Sequence, residues 1–336
     1  MVAETLRIAT YNIEMTRPGP GLLLRDLLKA DDPQIVAAVK VVTVLGADVL
    51  VLTGFDYDLD QVALTTLVGK LAAEGINYPY QFSIRPNTGL ATGLDLDGDG
   101  KLGGPGDAQG WGRFTGEGGM AILSKLPIRD DEVRNFSEFL WRDLPGALLF
   151  DGMTPEAIAV QRLSTTGHWD VPVELPGGAL LHLLAWYASP PVFDGPEDRN
   201  GRRNHDEAGF WMALLDGQLP MPAPPQPFVV IGDGNLDPVD GDGLPEAIRG
   251  VINHPALQKP SPRGKFFPEN ADDSGDTADF SAKNGPGGLQ VDYVLPSQDL
   301  TVTGAGVLWP KMDDPLATVL AVASRHRPVW VDIDLP

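Results

Sequence analysis

The sequence predicts an α/β protein of two packed β-sheets with helices on their outer faces. Short β-forming runs recur along the whole chain, helical periodicity is confined to a few separated stretches, and the first two strong runs bracket a helix. "LRIATYNI" (6–13) alternates and is rich in β-formers, which predicts a strand. "PQIVAAVKVVTVLG" (33–46) has helical length, with Pro at its start and Gly at its end. "ADVLVLT" (47–53) is a continuous apolar run of strand length, as expected of a strand covered on both faces. Further strands are predicted at 80–84, 119–124, 179–188, 227–232, 289–296, 300–309 and 326–333, and helices at 59–74, about 200–216 and 244–253. Gly/Pro-rich stretches at 86–118 and 258–288 read as long surface insertions in a single domain spanning 1–336.

The 336 residues are 43% hydrophobic, ample for a core that folds alone. Lys and Arg number 25 against 46 Asp and Glu, for a formal charge of -21. No general basic surface exists to hold a nucleic-acid backbone by counterion release, so long DNA is disfavoured and any polyanion needs a local basic patch or metal ions. The absence of cysteine excludes disulfides, thiolate metal sites and thiol nucleophiles. No run approaches the ~20 apolar residues of a membrane span, and a monomer with no membrane association is expected. "MVAET" lacks a signal peptide, yet Ala-Glu-Thr before the first strand resembles the residue of a cleavage site behind a substituted start methionine, which points to a secreted or periplasmic location against a cytoplasmic one.

Polar residues gather where the predicted strands end. Asn12 and Glu14 follow the first strand, Asp56 and Asp58 the second, Asp233 and Asn235 the run "FVVIG"; Asp292 lies in "VDYVLP" and His326 follows "AS". If these strands lie side by side, the ends converge on one crevice, the usual ligand site of α/β enzymes. For any one Asp or Asn a turn or cap is the simpler account, but several strand ends share the habit.

"RIATYNI", "ADVLVLTGFD", "GGMAILSKLPI", "VVIGDGNLDP", "VDYVLPS" and "ASRHRPVWVDI" occur in the order seen in the endonuclease/exonuclease/phosphatase superfamily, which the chain resembles over most of its length. The resemblance implies a four-layered α/β sandwich and metal-assisted hydrolysis of phosphoester bonds, with Mg²⁺ or Mn²⁺ and in some members Ca²⁺. It implies that Asp233 orients and deprotonates the attacking water, that Asn235 and His326 contact the phosphate, that Asp292 is the Asp of the "DY" strand, and that Asn12 lies near the metal. Phosphoryl transfer needs such parts: a cation on the phosphate oxygens, an aligned nucleophile and donors for developing charge.

Three positions depart from the family pattern. Gly54 stands where a metal-binding Glu is expected, Arg325 replaces the Asp of a terminal "SDH", and Tyr187 stands where a His is expected. Asp56, two residues past Gly54 and on the same face if the strand continues, is the expected replacement ligand, with Asp58 or Glu14 as further oxygen donors. Arg325 is expected to hold phosphate bidentately.

Two loops carry separate expectations. In "SPPVFDGPEDRNGRRNHDE" (189–207), Arg199, Arg202 and Arg203 open a predicted helix and read either as anion capture or as an ion-paired surface. "DLDGDGKLGGPGD" (95–107) places Asp95, Asp97 and Asp99 at alternate positions before Gly100, like the first half of a calcium loop, although position twelve is Gly106. Structural Ca²⁺ and a solvated acidic turn are the two readings there. Asp272, Asp273, Asp276 and Asp279 read as solvated surface, and His182 as a core residue rather than a ligand. The sequence therefore points to a metal-dependent phosphoesterase acting on a small phosphomonoester or phosphodiester, with a non-catalytic Ca²⁺- or phosphate-binding module as its rival.

Overall fold

The structure is a computed structural model, described over residues 5–265, 275–282 and 285–335. Ala3, Glu4, Asp272 and Asp273 lie outside the described residues, as does part of the 258–288 segment.

In the first half of the chain, β1 (Thr5–Met15), α1 (Leu22–Leu27), α2 (Pro33–Leu45), β2 (Val49–Phe55), α3 (Val62–Ala73), β3 (Tyr80–Phe82), β4 (Gly119–Ser124) and β5 (Arg134–Asn135) follow one another. Then come α4 (Pro155–Val160), β6 (Gly167–Glu174), β7 (Leu180–Tyr187), α5 (Arg199–Leu215), β8 (Phe228–Asp233), α6 (Glu246–Ile252), β9 (Ala278–Asp279) and β10 (Gly288–Leu289). The chain closes with β11 (Asp292–Pro296), β12 (Thr301–Val307), α7 (Pro315–Ala323) and β13 (Val329–Asp334). One sheet is ordered β12-β13-β1-β2-β4-β3 and the other β11-β8-β7-β6-β5, with β9 and β10 forming a small ribbon.

The alternation of side chains along each strand sorts the apolar residues into layers. Leu6 and Ile8 of β1, Val49 and Val51 of β2, Leu183 of β7, Val229 and Ile231 of β8 and Val294 of β11 pack together between the sheets. The opposite faces of β1 and β2 pack Tyr11, Ile13, Leu50 and Leu52 against Val41, Val42, Leu67 and Leu320 of α2, α3 and α7. Leu184, Trp186 and Val230 pack outward on Phe210, Trp211 and Ile248 of α5 and α6. The result is helices, sheet, sheet, helices, the four-layered sandwich expected.

Several elements were not anticipated. β6 carries Pro172 and the polar residues His168 and Asp170, which break the apolar run although Trp169, Val171 and Val173 on the other face reach the inter-sheet core. The 289–296 run divides into β10 and β11. α7 is a nine-residue apolar stretch, too short for periodicity to separate helix from strand, and is started by the Asp314 cap and Pro315. The 86–118 segment is tied inward: Asn87 is buried and its amide donates to the carbonyls of Ser137 and Ser164. Asp276 is buried and Asp279 half-buried, so the part of that acidic cluster in view is not solvated surface.

Candidate active site

The residues that line the inter-sheet layer turn from apolar to polar at one end of it. Two-residue periodicity carries Ile8 to Asn12 on β1, Ile231 to Asp233 on β8, Ala185 to Tyr187 on β7 and Val294 to Asp292 on β11. Strand register then fixes their neighbours: Asp233 lies opposite Tyr187 on one side and Asp292 on the other. From the facing sheet, Asn12 Nδ2 donates to Asp233 Oδ2 at 2.8 Å and lies 3.4 Å from the Tyr187 hydroxyl. Its Oδ1 accepts from the Glu14 N–H at 3.1 Å, so two bonds fix the orientation of the amide.

His326 follows α7 and completes the group. Its Nδ1 lies 2.9 Å from Asp292 Oδ2 and 4.0 Å from Asp233 Oδ2, and Asp233, Asp292 and His326 are all buried. Burial disfavours the imidazolium, but the charge and hydrogen bond of Asp292, with Asp233 and Glu14 nearby, raise His326 to about 9. Burial first, and then the Asp292 charge, hold Asp233 well above the usual carboxylate range. The Asp233 Oδ1 atom accepts from the Asn235 N–H at 2.8 Å, while the Asn235 side chain donates to the Ala188 carbonyl at 2.9 Å. Strand β8 ends at Asp233 and Asn235 takes a left-handed φ of 47°, so this pair is joined by a tight turn rather than by continued alternation.

The replacement ligands expected from the sequence lie differently. Gly54 has φ 66°, and the pairing of β1 with β2 and of β2 with β4 shifts register there. This irregularity breaks the alternation that would have aligned Asp56 with the site. Asp56 instead accepts from the Arg17 and Gly118 N–H groups at 2.8 and 2.9 Å, one on each oxygen, and burial raises it to about 6. Asp58 caps α3 by accepting from Val62 and Ala63. The Glu14 carboxylate is held by the Arg325 backbone N–H and guanidinium and lies 3.2 Å from Ser324 Oγ. Burial opposes that charge, yet the Arg325 bonds lower the pKa of Glu14. Arg325 also lies over the Phe280 ring, 5.1 Å from its centroid, and is occupied by Glu14 rather than open to a phosphate.

The arginines of the 189–207 loop divide. Arg203 is buried and donates to the carbonyls of Leu163, Gln109, Arg162 and Ser164, so it supports loops and does not capture anions. Arg202 bonds the Glu197 carbonyl, and Arg199 bonds that of Leu96 while lining a cavity of about 1110 Å³ that reaches Tyr187. Asp95 accepts from Gly98 and Gly100 N–H, and the carboxylates of Asp95, Asp97 and Asp99 each bring an oxygen within 4.8 Å of the others on an open turn. His182 pairs with Asp170 at 2.8 Å, a satisfied residue of β7 away from the site.

The sequence profile of the Endonuclease/Exonuclease/phosphatase family matches residues 9–326. The chain belongs to this family. The fold is similar to the solved endonuclease/exonuclease/phosphatase of Beutenbergia cavernae, at 18% identity and TM-score 0.58, covering 98% of this chain and 72% of that one. It is similar to sphingomyelinase C of Streptomyces griseocarneus, at 18% identity and TM-score 0.53 over 98% of this chain and 99% of that one. A variant of beta toxin from Staphylococcus aureus with bound magnesium ions aligns at 14% identity and TM-score 0.52, again over 98% and 99%. At these identities the likeness is one of fold. No curated protein matches the sequence.

The endonuclease/exonuclease/phosphatase family is one of phosphoesterases, and the residues gathered here fit a divalent cation. Asp233, Asp292 and His326 bring ligand atoms within 4.8 Å of one another, and Asp292 Oδ1 is a buried carboxylate oxygen without a protein partner. An orphaned charged oxygen at such a place is costly unless something positive or donating meets it.

Four supporting residues were missed from the sequence. Thr277 Oγ1 donates to Asp292 Oδ2 at 2.9 Å, and Ser324 Oγ donates to the Asn12 carbonyl while accepting from the His326 N–H. On α5, Asn204 donates to the carbonyls of Ser189 and Gly234, and buried Glu207 accepts from the backbone and hydroxyls of Thr165 and Ser189. Asn204 and Glu207 clamp the segments that follow Tyr187 and Asp233. The i, i+3 spacing of Asn204 and Glu207 on a predicted helix was the available signal; Thr277 had none.

The His326 interaction gives a pH dependence. Because its pKa is raised above the unfolded 6.5 to about 9, the folded state binds that proton more tightly, and the stabilisation is complete below about pH 6.5. The metal-free protein is therefore expected to lose stability as pH rises from 6.5 through about 9. Melting temperatures in chelator across this range, compared with His326→Gln, check it; parallel curves for the two proteins would contradict the assignment.

Proposed function

We propose that the protein hydrolyses a phosphomonoester or phosphodiester by attack of a water held at Asp233. The observation that carries this is the convergence of Asp233, Asp292 and His326 at the polar end of the inter-sheet core, with one Asp292 oxygen unpartnered. A bound Mg²⁺ or Mn²⁺, met by the unpartnered Asp292 oxygen with Asn12 nearby, would polarise the phosphate and offset its charge. Asp233 accepts the water's proton, and its raised pKa makes it a stronger base than an ordinary carboxylate. His326, kept protonated by Asp292, presents a cationic donor to the phosphoryl group. Asn12 holds Asp233 in place. Tyr187, paired with Asp233 across β7 and β8, and Asn235, two residues past Asp233, would contact the phosphate.

Hydrolysis of bis(4-nitrophenyl) phosphate, 4-nitrophenyl phosphate and plasmid DNA with Mg²⁺, Mn²⁺ or Ca²⁺ tests the reading. Turnover of a small ester with a divalent cation and little action on DNA is expected, because the charge of -21 slows encounter with a polyanion. No turnover with any metal would leave a binding module, and a Ca²⁺-dependent rise in melting temperature without turnover would point to Ca²⁺ as a structural ligand, with its loss in Asp95→Asn and Asp97→Asn needed to place it on the 95–107 turn. We read the chain as one exported, monomeric domain, which size measurement and cell fractionation check.

Arg325→Ala frees one oxygen of Glu14 while the backbone N–H keeps the other. The pair is open to solvent on the Arg325 side, where such pairs contribute about 0–1 kcal/mol, so melting should move little. If the guanidinium leaves Glu14 for the phosphate during turnover, kcat/KM falls by about tenfold. An unchanged kcat/KM would remove Arg325 from the reaction.

A further inference from the structure

The large cavity beside Tyr187 is not used by the reading above. It opens between the 95–107 turn, the 150–154 segment, the loop after β7 and the start of α5, and Thr16, Gly118, Tyr187 and Ser189 connect it to the catalytic end of the sandwich. At about 1110 Å³ it exceeds what a phosphate and its cation need. Its walls combine two kinds of residue. Trp111, Phe150, Met153, Val192 and Phe193 make an apolar surface, with Trp111 64% and Phe193 90% exposed despite their size. Large apolar side chains left this open beside a concave site are a feature of ligand surfaces.

The charges in the cavity are mostly negative. Asp95, Asp97, Asp151, Asp194 and Glu197 contribute to the lining, whereas Glu117 is paired with Arg113. Of the cations, Arg203 is spent on backbone carbonyls, and Arg199 is tied to Leu96 and the Phe150 face within the same acidic rim. An anionic group entering here would meet net repulsion; an uncharged or cationic apolar group would not.

We propose that this cavity is the subsite for one ester arm of the substrate, and that it selects a bulky apolar arm bearing no negative charge, favouring one that carries a positive charge. The substrate is then a phosphodiester with such an arm, and not a nucleotide or polynucleotide. The proposal rests on the phosphoesterase reading for its chemistry, but the cavity's own selectivity is measured apart from it.

Three 4-nitrophenyl naphthylmethyl phosphodiesters, with the naphthyl arm unsubstituted, trimethylammonio-substituted or sulfonated, are compared as substrates with methyl 4-nitrophenyl phosphate as the armless reference, so that 4-nitrophenolate is the leaving group throughout. The cationic and neutral arms are expected to exceed the sulfonated arm by about tenfold in kcat/KM, and Phe150→Ala with Met153→Ala to lower the naphthyl-to-methyl ratio by about tenfold. Asp151→Lys with Asp194→Lys should shrink or reverse the charge preference. Equal or better turnover of the sulfonate, or ratios unmoved by these variants, overturns the proposal. Binding of naphthyltrimethylammonium and naphthalenesulfonate, followed by tryptophan fluorescence, needs no turnover. Preference for the cation that is lost in Asp151→Lys with Asp194→Lys supports the cavity assignment even where the diesters are inert, which would sink only the catalytic reading; no preference in binding sinks the cavity assignment itself.

Discussion

Asp233→Asn is expected to lower kcat for bis(4-nitrophenyl) phosphate by about 10²–10⁴-fold, the range a positioned general base contributes. The loss should come without unfolding. The new amide oxygen can still accept from Asn12, and an amide is easier to bury beside Asp292 than a second carboxylate, which offsets the loss of the Asn235 N–H bond to the other oxygen. The melting temperature should therefore change little while activity collapses. In the unmodified protein the rate should climb with pH as Asp233 loses its proton, because burial and the Asp292 charge raise that pKa. The variant's residual rate should lack this limb. Activity that survives the substitution would eliminate Asp233 as the base.

Gly54→Glu puts back the side chain type the family pattern has at this position, and it is expected to damage the protein. Gly54 has φ 66°, where a residue with a Cβ is strained, and an added Cβ would lie 2.3 Å from Asn12 Oδ1. Asn12 must then leave Asp233. The strain alone costs roughly 1–3 kcal/mol, before the loss of the Asn12 bonds. Both melting temperature and activity should fall, and added Mg²⁺ should not rescue them. Gly54→Ala shows whether the backbone and Cβ are the cause, since it carries no carboxylate. Combining it with Asn12→Ala should cost less stability than the two changes summed, because the clash is gone. Additive costs, or a gain of metal-dependent activity in Gly54→Glu, would show that the space is not closed by Asn12.

Much of the fold was legible because its signals are local. The helix at 33–45 carries its own Pro and Gly punctuation, and the runs that became β1, β2, β4, β7 and β8 are long and apolar enough to need two covered faces. β6 escaped because Pro172, His168 and Asp170 occupy one face of it, and α7 because nine apolar residues show no period. The central group was visible as polar residues at strand ends in a family order. What could not be read was the backbone between them. Asp56 was aligned with the site on the assumption of an unbroken strand, and the irregularity at Gly54 removes that alignment. Arg203 looked like a surface cation in a charged loop, but the sequence does not show that four carbonyls converge on it. Such corrections depend on chain segments far apart in sequence.

The site stands on counting. Asn12 is four residues from Ile8, and Asp233 is two from Ile231, so each functional group inherits its direction from the apolar residue behind it. Inserting or deleting a single residue between these anchors and the strand ends would turn Asn12 or Asp233 toward the helical layers, leaving hydrophobic side chains in the crevice. Length changes compatible with function are therefore confined to the connections, while the paired segments tolerate exchange of side chains but not of number. The same rule gives an engineer a clean inactive control: one alanine inserted into β8 between Ile231 and Asp233 should misdirect the carboxylate.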